Sequence, residues 1–186
     1  METSRKEGVP TKEKPSFLYH GSRHKDIEEL EPRDESVRDL NEGPVVFATQ
    51  ELALATIFMV REVVESGRFN DIPYAVIIGS RESFVENDKG GHIYILPVDT
   101  FGSDSKKGLG GYEWTSREKV KPSQKIEYSS RLDAMIENGV QVYFVDEVTC
   151  QKIKISKDDV LSILQNMESE NQKRGINFRS FSLAEK

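Results

Sequence analysis

The chain has 186 residues, a formal net charge of −6, 36% hydrophobic side chains and 31% charged ones. That length suits one domain with a sizeable core and loose ends. The acidic balance argues against a broad nucleic-acid-binding face, and no apolar run approaches the ~20 residues that a membrane helix needs.

In chain order, residues 1–15 carry many charges and few apolar side chains, and are expected to be a disordered N-terminal segment. They lack the apolar stretch of a secretory signal, so a cytoplasmic protein is expected. Phe17, Leu18 and Tyr19 read as a short strand stopped by Gly21 and Ser22. Ile27 and Leu30 are scattered anchors before Pro32, and residues 33–43 read as a loop. Residues 44–48 form the next apolar strand. Thr49 then suits the cap of a helix over residues 50–66, where Ala53, Ile57, Val60 and Val64 recur at helical spacing and Gly67 is the stop.

The β-branched run over residues 72–79 predicts a central strand. Residues 83–86 and 92–98 are expected as two more strands, turned by residues 87–91. Residues 99–110 are rich in Gly, Ser, Asp and Lys and read as a long loop, a kind of segment that often carries function. Residues 111–116 and 125–129 are expected as strands. Ser130 with Asp133 has capping-box spacing and opens a short helix that ends at Gly139. Residues 140–145 and 149–155 are expected as strands, and Ser156 with Asp159 repeats the capping pattern. In the final helix Val160, Leu164 and Met167 share a face, before a polar tail from Glu170. Cys150, the single cysteine, leaves no internal disulfide or multi-cysteine zinc site, and reads as a half-buried strand position. The basic residues Arg117, Lys119, Lys121 and Lys125 read as a solvated strand edge. Many short strands mixed with few helices predict an α+β fold with split or two-layer antiparallel sheets, not a doubly wound one. One domain over residues 16–169 and a polar tail over residues 170–186 are expected.

Three segments carry chemistry. His20 at a strand end offers a ring nitrogen to a ligand, Gly21 lets a planar group approach the backbone, and Ser22 adds a hydroxyl of either polarity. Taken alone, the tripeptide reads rather as a turn glycine beside a surface histidine. The run Leu18-Tyr19-His20-Gly21-Ser22-Arg23, with Ile27 and Leu30 after it, resembles the first motif of the ADP-ribosyltransferase superfamily. It is closest to the poly(ADP-ribose) polymerase side, where a strand ends in His-Gly-Ser. Val45-Val46-Phe47-Ala48-Thr49 and the helix after it with Ala55 are similar to the second motif. Tyr112-Glu113-Trp114-Thr115-Ser116, with Val120 and Pro122, resembles the third. The rifampin ADP-ribosyltransferases and the RNA 2′-phosphotransferases have looser versions of this plan, and the resemblance covers about residues 16–146.

The resemblance implies an ADP-ribosyltransferase-like fold of split antiparallel sheets with a few flanking helices. It implies NAD as co-substrate, with nicotinamide released and ADP-ribose passed to a protein, nucleic acid or small molecule. His20 would bind a ribose hydroxyl, the Gly21 backbone and Ser22 the nicotinamide carboxamide, and Glu113 the 2′-hydroxyl of the nicotinamide ribose. The family often carries a Tyr or polar residue at the start of the second motif and a stacking aromatic in the helix beyond. Here the strand positions are Val46 and Phe47, and Phe58 matches the aromatic only after a one-residue adjustment. Core packing is the alternative for Phe58 and the expected role of Trp114. Lys106 and Lys107 read by default as a solvated loop tip, and are candidates to meet a phosphate or an acidic acceptor. No metal is expected, since His24 and His92 lack compact ligand spacing with His20. A non-catalytic NAD- or ADP-ribose-binding module, or a scaffold for interactions, on the same fold is the alternative function.

Overall fold

The computed structural model describes residues 14–34, 43–103, 111–155 and 160–173. In chain order these form β1 (Leu18–Ser22), β2 (Val46–Thr49), α1 (Leu52–Ile57), β3 (Val63–Phe69), β4 (Ile72–Ile78), α2 (Arg81–Asn87) and β5 (Gly91–Leu96). There follow β6 (Gly102–Ser103), β7 (Glu113–Ser116), β8 (Gln124–Tyr128), α3 (Arg131–Glu137), β9 (Gln141–Val145), α4 (Glu147–Ile155) and α5 (Val160–Lys173). The fold is α+β with two sheets.

The larger sheet has the order β6-β7-β2-β1-β5-β8, with every neighbour antiparallel. The smaller has the order β3-β4-β9; β3 and β4 form a hairpin, and β4 runs parallel to β9. Asn70 and Asp71 turn the hairpin with positive φ, as the right-handed twist of its strands favours.

The strand pleat sorts the side chains of β4. Ala75 and Ile77 pack with Leu54 and Ile57 of α1 and Leu132 and Met135 of α3, whereas Tyr74 and Val76 pack with Cys150, Ile153, Val160 and Leu164 of α4 and α5. Helices cover both faces, which is why this strand reads as an unbroken apolar run. On their other side α1 and α3 meet the larger sheet, where Ala55, Met59 and Ala134 pack with Ile93. The opposite face of the larger sheet carries Leu18, Val46, Ala48, Tyr94, Leu96 and Trp114 beneath Leu30, Phe101 and Val120. Each such fully buried aliphatic side chain contributes about 1.5–3 kcal/mol of transfer free energy.

Several sequence expectations are corrected. The helix expected over residues 50–66 is only Leu52–Ile57, with Glu51 at its N-cap and no side-chain cap bond. Thr49 Oγ1 instead accepts from the Glu51 amide at 3.2 Å. Val63 and Val64 belong to β3, where Val63 sits opposite Ile77, and Gly67 lies inside that strand against the Tyr74 ring rather than stopping a helix. The pairing that β4 offers outweighs the weak helical propensity of two adjacent valines. Residues 83–86 are helical, not extended, because Ser80 caps α2 by accepting from the Ser83 amide. The turn expected over residues 87–91 therefore joins a helix to a strand. Residues 149–155 are also helical: the Asp146 carboxylate accepts from the Thr149 amide at 2.7 Å, and Cys150 and Ile153, three apart, face the core together. Cys150 is thus a fully buried helix residue. The first strand does not stop at Gly21; it continues through Ser22 beside β5. The expected helix opened by Ser130 is present as α3, with Ser130 Oγ accepting from the Asp133 amide. The expected loop over residues 99–110 includes the short strand β6. Lys106, Lys107, Ser156, Asp159, residues 1–13 and residues 174–186 lie outside the described residues.

Candidate functional site

The cleft begins where β1 and β2 part. Along one edge β1 pairs with β5 at five positions, from Leu18 opposite Leu96 to Ser22 opposite His92. Along the other edge its register with β2 is Tyr19 opposite Thr49 alone. Beyond that pair the strands diverge, and a cleft of about 670 Å³ opens, lined by His20, Gly21 and Ser22 from one strand and Val46 and Phe47 from the other. Glu113 and Phe58 line the same cleft. All six residues singled out in the sequence, from four separate segments, thus come together.

His20 is half-buried, and its Nδ1 lies 2.7 Å from the Phe47 carbonyl oxygen. A carbonyl only accepts, so Nδ1 carries the proton and donates it. Burial holds the imidazole below its ordinary value of 6.5; the Phe47 carbonyl pulls the other way, and the Arg33 cation adds to the lowering. The ring is therefore neutral at pH 7, and its Nε2 is a hydrogen-bond acceptor. A neutral acceptor on a cleft wall suits a sugar hydroxyl.

Gly21 is required by packing. A Cβ at this position would lie 1.9 Å from the carbonyl oxygen of Ala55 on α1. The helix consequently sits directly on the strand, and its C-terminal end delivers Phe58 and Met59 to the cleft. Ser22 is buried, and its Oγ accepts from the His24 amide at 3.1 Å, which turns the chain at the end of β1.

Glu113 opens β7, directly opposite Thr49 of β2. Strand alternation puts it on one face with Thr115, while Trp114 between them enters the core with Val46 and Ala48. Trp114 is therefore a packing residue. Phe47 is half-buried, whereas Phe58 is 43% exposed, so Phe58 belongs to the cleft wall and not to the core.

The sequence reading missed two arginines. Arg33 reaches the cleft because its backbone forms an isolated bridge with Val45, with N···O distances of 3.1 Å both ways. Arg61 reaches it from the segment between α1 and β3. With Arg23 they give the cleft three guanidinium groups against the carboxylates of Glu31 and Glu113. No local signal marks Arg33 or Arg61, since each is an ordinary charged residue in a polar stretch. Among the other histidines, His24 lines the cleft, while His92 is buried in β5 with neither ring nitrogen hydrogen-bonded. The basic stretch around Lys119 is tied to the surface by ion pairs with Glu29 and Glu31. No helix among the described residues is long and apolar enough to cross a membrane. No family model matches the chain, and neither a curated protein nor a solved structure matches it.

Proposed function

We propose that this cleft binds NAD and that the chain is an ADP-ribosyltransferase-like enzyme, a glycosyltransferase that releases nicotinamide and transfers ADP-ribose to an acceptor. The observation that carries this reading is the convergence of His20, Gly21, Ser22, Phe47, Phe58 and Glu113 on one cleft. In this assignment the neutral His20 accepts from a ribose hydroxyl, and the backbone of Gly21 and the hydroxyl of Ser22 meet the carboxamide. Phe47 and Phe58 offer apolar surface to the nicotinamide ring. Arg23, Arg33 and Arg61 bring the positive charge and forked donors that suit a diphosphate.

The chemistry asks little of the protein beyond electrostatics. The bond between C1′ and the pyridinium nitrogen breaks, its electron pair leaves with nicotinamide, and nicotinamide departs neutral without a general acid. Positive charge builds on C1′ and the ring oxygen, as in glycoside cleavage. The Glu113 carboxylate, hydrogen-bonded to the 2′-hydroxyl, stabilises that charge. An acceptor nucleophile on a protein, nucleic acid or small molecule then bonds to C1′ and gives up its proton to water. Preorganised charge of this kind is worth about 3–4 kcal/mol per group.

The test is nicotinamide release from NAD by the wild-type protein and by Glu113→Gln. The variant is expected to lose roughly 100- to 1000-fold in rate while its melting temperature holds. Equal rates would remove Glu113 from the mechanism. The second reading, a binding module without transfer, is favoured by Val46, which lies buried in the core where the family often carries a polar residue. A melting temperature raised by NAD with no nicotinamide released in the presence of cell lysate selects that reading.

A further inference from the structure

Arg68 stands at the centre of a closed ring of contacts around Glu113. It lies on β3, distant from Glu113 in sequence, and is half-buried. Its Nη1 makes an ion pair with the Glu51 carboxylate, and its Nη2 donates to the Asp71 carbonyl at 2.6 Å. Its guanidinium carbon lies 4.7 Å from the centroid of the Tyr112 ring, within cation–π range. Tyr112 is the residue immediately before Glu113, and its ring also packs against the core formed by α1, α3, β4 and β9.

The ring closes through the backbone. Glu113 is opposite Thr49 in the β2–β7 register. Thr49 Oγ1 accepts from the amide of Glu51, the residue whose carboxylate holds Arg68. From Glu113 the path therefore runs to Thr49, Glu51, Arg68, Tyr112 and back to Glu113. The chain enters β7 through Gly111, whose φ of +88° is left-handed and cheap only for glycine. Tyr112 is then the one side chain between that turn and the carboxylate, and Arg68 holds its ring from above.

We propose that Arg68 is a positioning residue for Glu113, acting through the Tyr112 ring and the Glu51 carboxylate; this rests on the reading of Glu113 as the carboxylate beside C1′ of NAD. Arg68 does not touch the substrate. It ties the entry of β7 to α1 and to the β3–β4 turn, so that the carboxylate keeps its place as charge develops on C1′. Small displacements of such a group are costly, about 100-fold in rate for a shift of about 1 Å.

The experiment compares the wild-type protein with Arg68→Met, which keeps length and loses charge, and Arg68→Lys, which keeps charge and loses the fork. For nicotinamide release, Arg68→Met is expected to lower kcat by roughly 10- to 100-fold with KM for NAD within about threefold, and Arg68→Lys to recover part of the loss. Amide hydrogen exchange of the same proteins is read without NAD. Arg68→Met should speed exchange over residues 113–116 by about tenfold or more and leave residues 18–22 within about twofold. Unchanged exchange over residues 113–116 overturns the proposal, as does equal acceleration over residues 18–22, which marks general loosening. If the wild-type protein releases no nicotinamide, the NAD reading fails separately, and the exchange pattern still decides whether Arg68 holds the entry of β7.

Discussion

His20 Nδ1 and the carbonyl oxygen of Phe47 are 2.7 Å apart, across the gap where β1 and β2 have stopped pairing. A side chain thus takes up a backbone acceptor that the open sheet would otherwise leave to the cleft. The same bond selects the tautomer that presents Nε2 as an acceptor.

Two consequences follow for pH. Burial first, then the Arg33 charge, hold the folded ring below 6.5 against the pull of the Phe47 carbonyl. The folded ring therefore binds its proton more weakly than the unfolded one. The stability tied to the neutral ring is fully present above the unfolded value and is lost as pH falls through the folded value. Thermal melts from pH 7.5 to 4.5 are expected to show this loss, and His20→Asn to show less of it. NAD affinity, measured by calorimetry, is expected to fall over the same acid range as Nε2 gains its proton, and His20→Ala to weaken binding at pH 7.5 by roughly ten- to hundredfold. An affinity flat with pH, and equal in the variant, would exclude His20 from the ligand.

Gly21→Ala is expected to destabilise the fold by about 2–3 kcal/mol, because the added methyl meets the Ala55 carbonyl at 1.9 Å and the helix backbone must move. Urea unfolding measures this. A change within ~0.5 kcal/mol would mean that α1 lifts off the strand at little cost.

Phe58→Ala separates wall from core. The side chain is 43% exposed and belongs to none of the core clusters, so stability is expected to stay within about 1 kcal/mol of wild type. NAD affinity is expected to fall by roughly tenfold as the apolar surface beside the ring is lost. A large loss of stability with unchanged affinity would return Phe58 to a packing role.

Asp88 anchors the start of α3. Its carboxylate accepts from Arg131 Nε at 2.8 Å, from the amides of Gly90, Arg131 and Leu132, and from the Ser130 hydroxyl. Burial raises its pKa, but the hydrogen bonds from Arg131, Leu132 and Gly90 together with the Arg131 charge outweigh it and hold the carboxyl below 3.8. The stability this supplies is present above the unfolded value and is lost as pH falls through the folded one. Asp88→Ala leaves the buried Arg131 without its main partner and is expected to cost about 3–5 kcal/mol at pH 7, read by urea unfolding. A cost below about 1 kcal/mol would show that Glu62, 3.9 Å from Arg131 Nη1, takes over the pairing.

Where local chemistry sets the outcome, the sequence was a sound guide. The apolar run of β4 and the Ser130–Asp133 cap of α3 follow from side-chain type and spacing alone. It misled where two local preferences were close. Val64 continues the helical spacing of α1, yet an open edge of β4 recruits it and Val63 into β3. Residues 149–155 alternate well enough to suggest a strand, yet the Asp146 cap and the core contacts of Cys150 and Ile153 make them helical.

By itself, then, the sequence determined the α+β class, the strand ending in His20-Gly21-Ser22 and the residues worth testing as a site. Only the tertiary structure decided that these residues share a cleft with Phe58 and Glu113, that Arg33 and Arg61 join them, and that Gly21 answers to α1. The physical reason is range. Propensity, capping and periodicity act over a few residues, whereas the divergence of β1 from β2, the Arg33–Val45 bridge and the path from Arg68 to Glu113 depend on how distant segments pair and pack.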